Sequence, residues 1–390
     1  MGGLVVKPRA RIFHGHDWVY GTEVRKVFGD PQPGEVISLK DFKDRPLGSA
    51  IYNPASQIVA RRFSRRKQGL DLEFFRRRLE RAQAYRESLG FTGGARVYRV
   101  VWSESDGLPG VVVDRYGEQW TFQTHTLGMD RVKETLVEAI REVFAPEVIV
   151  ERNEGAGRAA EGLEPVTRVH LGVPRRELLW FDGVALTSDP AGGQKTGLYI
   201  DQLDNYRSVA AFAAGRRVLD CFTNQGGFAL HCARAGAREV IGVDVSAPAL
   251  ETARENARAA NLNASFVEHN AFDKLKHDQA AGEQYDLIVL DPPSFTRTRA
   301  NLGEALRGYK EIHLRALKML EPGALLASFS CSHHVDRATY LQMLVDAAVD
   351  AKRGLRLRAT LGQRPDHPVI PGLPETDYLH GLIVEVMSAW

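Results

Sequence analysis

Two strand ends carry residues whose type and spacing could do chemistry. Asp291-Pro292-Pro293-Ser294-Phe295 follows the apolar run Leu287-Ile288-Val289-Leu290. Two successive prolines fix the backbone and remove two N–H donors, so the turn is stiff. It aims Asp291 and the neighbouring carbonyls at whatever lies over the strand end, although a plain strand-ending turn would read the same way. The next strand-like run closes with Ser328-Phe329-Ser330-Cys331-Ser332-His333-His334. Cys331 is there either a nucleophilic thiolate or a small buried hydrophobe. Cys331, His333 and His334 do not form a zinc site, because no second Cys or His pair stands at ligand spacing, and no metal is expected. Cys221 and Cys232 read as packing residues.

A third motif runs Val218-Leu219-Asp220-Cys221-Phe222-Thr223-Asn224-Gln225-Gly226-Gly227-Phe228. A strand passes through a glycine pair into a helix, which lets a ligand approach backbone amides at a helix N-terminus. It lacks the Gly-x-Gly-x-x-Gly spacing of a dinucleotide fold, which argues against NAD. Such turns also occur without a ligand. The following strand, Ile241-Gly242-Val243-Asp244, ends in an acid roughly 20 residues further on, the position that accepts ribose hydroxyls. Asp244 is not needed as a helix cap, because Ser246 with Pro248 fills that role. Ala191-Gly192-Gly193-Gln194-Lys195-Thr196-Gly197 resembles a phosphate loop, but Gln194 stands where glycine must precede the Lys-Thr pair, so ATP and GTP are excluded.

The elements that position these motifs follow a β-α rhythm from about residue 185 onward. Strands are predicted over 217–221, 239–244, 264–268, 285–291 and 324–330, with helices near 226–235, 247–260, 304–320 and 336–352. This implies a doubly wound parallel sheet with ligands at the strand C-terminal ends. Residues 95–180 read as a small α+β region: strands over 96–102, 110–114, 119–125 and 147–152, and one amphipathic helix over 130–144. Residues 1–66 read as short strands broken by turns, a small β-barrel. Between these lies the most basic stretch, with Arg61, Arg62, Arg65, Arg66, Lys67, Arg76, Arg77, Arg78 and Arg81 against Asp71, Glu73 and Glu80. It is either a surface that tracks nucleic-acid phosphates or a solvated helix face with arginine stems over the core.

Composition bounds the possibilities. A chain of 390 residues with 44% hydrophobic and 26% charged residues has the balance of a folded globular protein of about two or three domains. A net charge of +2 means that nucleic acid would be held by a local basic patch, not by bulk charge. Three cysteines make no disulfide framework, so a reducing cytoplasm is the expected compartment. The N-terminal apolar run is too short for a secretory signal, and no run approaches the ~18 apolar residues of a membrane span.

In this order the motifs resemble a class I S-adenosylmethionine-dependent methyltransferase. They most resemble the family of 23S ribosomal RNA 5-methylcytosine methyltransferases with an N-terminal PUA domain. The resemblance covers nearly the whole chain: Gly15-His16-Asp17-Trp18-Val19-Tyr20 and Tyr52-Asn53-Pro54; Asp106-Gly107-Leu108-Pro109-Gly110 and Val113-Asp114-Arg115-Tyr116; then Gly193–Gly197, Asp201-Gln202, Asp291–Phe295, Tyr309-Lys310-Glu311 and Ser330–His334. It implies a PUA-like RNA-binding barrel at 1–68, a mixed α/β middle domain at 69–182 and a Rossmann-like methyltransferase sheet at 183–390. By matching position, Phe222, Thr223, Gly226 and Gly227 would hold the methionine part of S-adenosylmethionine, Asp244 its ribose, and Asn270 with Ala271 its adenine. Lys195 and Asp201 would join from the preceding loop, with Asp291 at the same cofactor. The chain departs from the family at Asn224, usually tyrosine, and Leu203, usually arginine, with Arg207 near enough to replace the second as a phosphate contact.

The mechanism this implies is methyl transfer to cytosine C5. Cys331 would add to C6 and Asp291 would hydrogen-bond the N3/N4 edge, while the base that removes the C5 proton is His333 or a water. Ser294 stands where related RNA cytosine enzymes carry a second cysteine, which excludes any step needing two thiols. Pro292, Pro293 and Phe295 would line the base pocket, and Arg61, Arg62, Arg65 and Arg66 would hold flanking RNA. The implied partner is large-subunit ribosomal RNA, free or in an assembly particle, with a homodimer suggested by family members and no membrane. Two rivals stand beside this reading: methylation of a base amino group, in which Asp-Pro-Pro and an aromatic ring hold the base, and a non-catalytic RNA-binding assembly factor.

Overall fold

The computed structural model describes residues 2–91, 97–193, 196–296, 301–332 and 334–388. The chain forms two compact units. One comprises Met1–Glu177, Ser188–Ile200 and Pro365–Thr376; the other comprises Leu178–Thr187, Asp201–Arg364 and Asp377–Trp390.

The first unit opens with β1 (Gly3–Val6), β2 (Trp18–Tyr20), β3 (Val24–Phe28), β4 (Val36–Lys40), β5 (Pro46–Tyr52) and β6 (Ile58–Ser64). They form a six-stranded sheet in the order β2-β6-β5-β4-β1-β3, antiparallel except where β1 runs parallel to β4. Leu4, Val6, Val19, Ile37, Leu39 and Ala50 fill its core. Helix α1 (Leu72–Ser88) is capped by Asp71, whose side chain accepts from the Phe74 amide. It buries Phe75, Leu79 and Ala82, the i, i+4, i+7 stripe expected of an amphipathic helix.

Beyond α1 come β7 (Val97–Trp102), β8 (Val111–Tyr116), β9 (Gln119–Thr124), α2 (Leu127–Arg131), α3 (Lys133–Phe144), β10 (Val148–Asn153), α4 (Ala156–Ala159) and β11 (Val166–Leu171). Their five strands are ordered β11-β10-β9-β8-β7. The single helix expected over 130–144 is two, broken at Val132, whose φ −110° and ψ 17° are not helical. Strands β12 (Glu177–Phe181) and β13 (Val184–Ser188) pair with each other.

The second unit contains α5 (Leu203–Ala210), β14 (Arg217–Cys221), α6 (Gly227–Arg234), β15 (Glu239–Asp244), α7 (Ala247–Ala259), β16 (Ser265–Glu268), α8 (Ala271–Ala281), β17 (Tyr285–Leu290), α9 (Leu302–Lys318), β18 (Leu320–Ser330), α10 (Arg337–Ala351), β19 (Gly354–Gly362) and β20 (His380–Met387). The sheet order is β16-β15-β14-β17-β18-β20-β19. The five expected strands are all present and parallel. Two further strands, β19 and β20, lie beyond the expected five; β20 inserts antiparallel between β18 and β19, so the sheet is mixed. From β14 the chain moves outward through β15 to β16, then crosses back through α8 to β17 on the other side of β14. The crevice over that reversal is where open α/β sheets bind ligands.

Candidate active site

Register places the chemistry-bearing residues along one edge of this sheet. Cys221 lies opposite Val243 on one side and Leu290 on the other, and Leu290 lies opposite Ser328. Asp244, Asp291 and Cys331 therefore leave three strands at the same carboxyl edge.

The β14–α6 loop is wound by three residues in the left-handed region: Phe222 (φ 66°), Asn224 (φ 51°) and Gly226 (φ 84°). Asn tolerates this region better than a bulkier side chain does, which accounts physically for asparagine at 224. Its amide donates to Asp244 Oδ2 at 2.9 Å, and the Ser246 amide donates to Oδ1 at 2.9 Å. Two fixed amides thus aim the Asp244 carboxylate, and each oxygen retains a lone pair, as two ribose hydroxyls would require. Ser246 caps α7 as expected, accepting from the Ala249 amide. Gly227 is glycine for packing: a Cβ there would lie 2.3 Å from the Tyr206 ring.

Asp220, to which the sequence motif assigns no role, is the least satisfied group of the loop. It is fully buried; Oδ2 accepts from the Thr223 hydroxyl at 2.5 Å and the Ala229 amide at 3.0 Å. Oδ1 has no hydrogen-bond partner. Burial, reinforced by the negative fields of Asp291 and Asp244, pushes the Asp220 carboxyl up to about 7. Three carboxylates around one loop, one of them with an orphan oxygen, suit a ligand carrying positive charge. S-adenosylmethionine, with its sulfonium and ammonium groups, fits that donor set.

Asp291 is held from the side. Gln202 Nε2 donates to its Oδ2 at 3.0 Å. The orientation of that amide is fixed by Asn205, whose Nδ2 donates both to Gln202 Oε1 at 2.7 Å and to the Gly362 carbonyl at 2.9 Å. Gln202 must therefore present its NH2 to Asp291, and Oδ2 must accept. The Asp291 amide reaches the Cys221 carbonyl at 3.5 Å, tying the turn to β14. Pro292 is buried and Pro293 exposed.

Cys331 is part-exposed, whereas Cys221 and Cys232 are buried and their thiols pushed up by that burial. A directional chain of hydroxyls brackets Cys331. Ser294 gives its one hydroxyl hydrogen to the Thr296 carbonyl at 2.8 Å, so in its 2.8 Å contact with Ser332 it accepts. Ser332 has then used its own hydrogen, so Tyr309 donates to Ser332 at 3.0 Å. Ser330 donates to Tyr309 at 3.2 Å. Tyr309, from α9, thus bridges the residues on either side of Cys331 and joins them to the Asp291 turn. Ser294 is the hydroxyl end of this chain, a role a thiol would fill poorly.

The other expected site residues have the following partners. Asp201 is buried and accepts from the Tyr378 hydroxyl at 2.7 Å, with its carbonyl receiving the Arg364 amide. Asn270 caps α8, accepting from the Phe272 amide at 2.9 Å, and the Ala271 methyl is part of the core. Phe295 packs between Tyr309 and Phe272, with ring centroids 4.5 and 5.7 Å away. Arg207 is exposed and paired with Asp182 at 2.7 Å, and Leu203 is buried. Arg61 and Arg62 are not on an open surface: Arg61 pairs with Glu104 at 2.8 Å and covers the Trp18 ring, and Arg62 pairs with Asp17. Lys195 and His333 lie outside the described residues. Thr196, beside Lys195, donates to Asp114, and the Asp189 side chain closes the turn over 189–192, so that segment is a built turn.

The fold and this edge define a Rossmann-like methyltransferase. A family model described as S-adenosylmethionine-dependent methyltransferase matches residues 179–374, and one described as PUA-like domain matches residues 5–65. The chain is 36% identical over 391 residues to Ribosomal RNA large subunit methyltransferase I of Vibrio vulnificus (strain YJ016), covering 98% of each chain. It is 37% identical over 373 residues to the protein of that name from Photobacterium profundum, covering 94% of each. Among solved structures, a SAM-dependent methyltransferase from Streptococcus mutans superposes with a TM-score of 0.86 over 99% of this chain and 100% of that one, at 20% identity. Another, complexed with SAH, gives 0.85 at 19% identity, with the same coverage. The chain belongs to the S-adenosylmethionine-dependent methyltransferase family that includes these ribosomal RNA large subunit methyltransferases I. Its cofactor is S-adenosylmethionine.

Proposed function

We propose that the protein methylates C5 of a cytosine in large-subunit ribosomal RNA, in the cytoplasm, through a covalent Cys331 intermediate. The observation that carries this reading is the part-exposed thiol at the end of β18, beside the Asp291 turn and bracketed by hydroxyls. The name borne by the relatives supports the substrate class. The reading includes the three-domain division at 1–68, 69–182 and 183–390, and a cofactor site built from Phe222, Thr223, Gly226, Gly227, Asp244, Asn270, Ala271 and Asp291, with Lys195 and Asp201 from the preceding loop.

S-adenosylmethionine supplies an electrophilic methyl group. Cytosine C5 is a weak nucleophile until electrons are pushed into the ring. Addition of the Cys331 thiolate at C6 does this, and Asp291, protonated or bridging through its turn, hydrogen-bonds the N3/N4 edge and stabilises the negative charge that develops there. C5 then takes the methyl group as S-adenosylhomocysteine is released, a base removes the C5 proton, and the Cys331–C6 bond breaks to return the thiolate. Gln202 holds Asp291 Oδ2 throughout, so the carboxylate keeps one orientation toward the base. Phe295 is packed against Tyr309 and Phe272, which weighs against the amino-methylation rival that needs a stacking aromatic. Mass-spectrometric mapping of ribosomal RNA from a deletion strain, complemented with the intact gene or with Cys331→Ala, tests the reading. A missing 5-methylcytosine that only the intact gene restores supports it. A missing N-methyl base, or restoration by Cys331→Ala, overturns it.

A further inference from the structure

The basic stretch 61–81 is divided by the fold into two unlike halves. Arg61 and Arg62 are neutralised by acids and serve the packing of their own unit. Beyond them, Arg65, Arg66, Arg77, Arg78 and Arg81 line one cavity of about 650 Å³ with Ser64, Gln68, Phe74 and Glu80. Its walls are the β6–α1 connection and one face of α1. Phe74, Arg77, Arg78 and Arg81 are spaced i, i+3, i+4, i+7, so they project from the same side of the helix.

The connection is a built loop. The Ser64 hydroxyl accepts from the Arg66 amide at 3.1 Å, and the Ser49 hydroxyl accepts from the Gln68 amide at 2.9 Å. Gly48, at φ 116°, has no room for a side chain against the Arg65 backbone. Arg78 is anchored at the cavity wall by a 2.8 Å bond to the Phe63 carbonyl and lies over the Phe74 ring. The charge in the cavity is poorly balanced. Arg77 reaches Glu73 at 3.2 Å, while Glu80, the one acid in the lining, lies 4.0 Å from Arg76 outside it. Burial, with the positive fields of Arg81 and Arg77, lowers the Arg78 pKa. A guanidinium that feels repulsion from its neighbours marks a place short of anions.

We infer that the cavity between the β6–α1 connection and α1 is a phosphate-binding cleft that grips the RNA backbone with Arg65, Arg66 and Arg81, Arg78 forming its fixed wall. Guanidinium forks match phosphate oxygens in pairs, and several converging on one cleft suit consecutive phosphates of a strand. The inference rests on the RNA reading above but assigns a separate place on the molecule and does not depend on which base is methylated.

The test uses the full-length protein and a ribosomal RNA fragment, with binding followed by fluorescence anisotropy over a series of salt concentrations. Each phosphate contact contributes about −0.7 (single strand) to −0.9 (duplex) to the slope of log K against log salt. The Arg65→Ala/Arg66→Ala/Arg81→Ala variant should lose about 2 from that slope and bind at least about tenfold more weakly at low salt. Arg76→Ala, which removes one positive charge from a residue outside the cavity and already 3.5 Å from Glu142, should leave the slope unaltered. Calorimetry with S-adenosylmethionine alone reports that the variants are folded, without recourse to methyl transfer. Competition separates the sources of phosphate: displacement by a second RNA but not by inorganic phosphate at millimolar concentration supports a backbone cleft. Displacement by inorganic phosphate assigns a small-anion site instead and overturns the inference, as does an unchanged slope in the triple variant. If RNA is bound through the cleft but not methylated, the catalytic reading fails and the cleft stands.

Discussion

Asp220→Asn isolates the buried carboxyl at the cofactor edge. The side chain keeps its size, and its amide oxygen can still accept from Thr223 and Ala229. The native carboxyl is raised from 3.8 to about 7; at roughly 1.4 kcal/mol per pH unit, this is on the order of 4 kcal/mol of differential stability. The folded-state value lies above the unfolded one. Between about pH 4 and 7 the folded chain holds a proton that the unfolded chain has released. The contribution to stability is therefore complete at low pH and is lost as pH rises through about 7. The difference in unfolding free energy between the native protein and Asp220→Asn, measured in urea from pH 4.5 to 8.5, should shift by several kcal/mol against the native protein with rising pH and level off above 8. S-adenosylmethionine, a net cation, should favour the ionised carboxylate. Calorimetry at pH 7 in buffers of different ionisation heat should then show up to about half a proton released by the native protein, and none by Asp220→Asn. A pH-independent stability difference, with equal proton release by both proteins, would refute the assignment of an unsatisfied, cation-seeking carboxylate.

Tyr309→Phe removes the hydroxyl that bridges Ser330 and Ser332; it should lower kcat at least tenfold with little change in KM for RNA and alter the pH dependence of Cys331 alkylation by iodoacetamide. An equal loss in both kinetic constants with unchanged alkylation would reduce Tyr309 to a packing residue. Gly227→Ala puts a methyl 2.3 Å from the Tyr206 ring and should cost about 1–3 kcal/mol by chemical denaturation, which Tyr206→Ala in the same chain should partly restore.

The second unit was legible because its strands are short, apolar and separated by amphipathic helices, a pattern that reports period directly. Strands β19 and β20 were not, since β19 is an edge strand with Arg356 and Arg358 outward and breaks the β-α rhythm. Strand β3 buries none of its residues fully, so it shows no alternation to read. At the site, the motifs found the strand ends but not the partners that hold them. An aspartate in the middle of the apolar run Val218-Leu219-Asp220-Cys221 was the visible sign of Asp220. Gln202, Asn205 and Tyr309 act from α5, its approach and α9, and no spacing connects them to Asp291 or Cys331. The arginines failed in the opposite way: charge is visible in a sequence, but whether an acid from 43 residues away neutralises it, as Glu104 does for Arg61, is not.

Catalysis as proposed turns on a reversible bond between the Cys331 sulfur and a pyrimidine C6. The direct measurement is mass spectrometry of the protein incubated with S-adenosylmethionine and target RNA carrying 5-fluorocytosine, in which fluorine replaces the C5 proton and blocks release. The expected result is a stable protein–RNA adduct, with a methylated fluorocytidine attached to the peptide containing Cys331 and no adduct with Cys331→Ala. Full methylation of unmodified RNA without any adduct on the fluorinated RNA would contradict it.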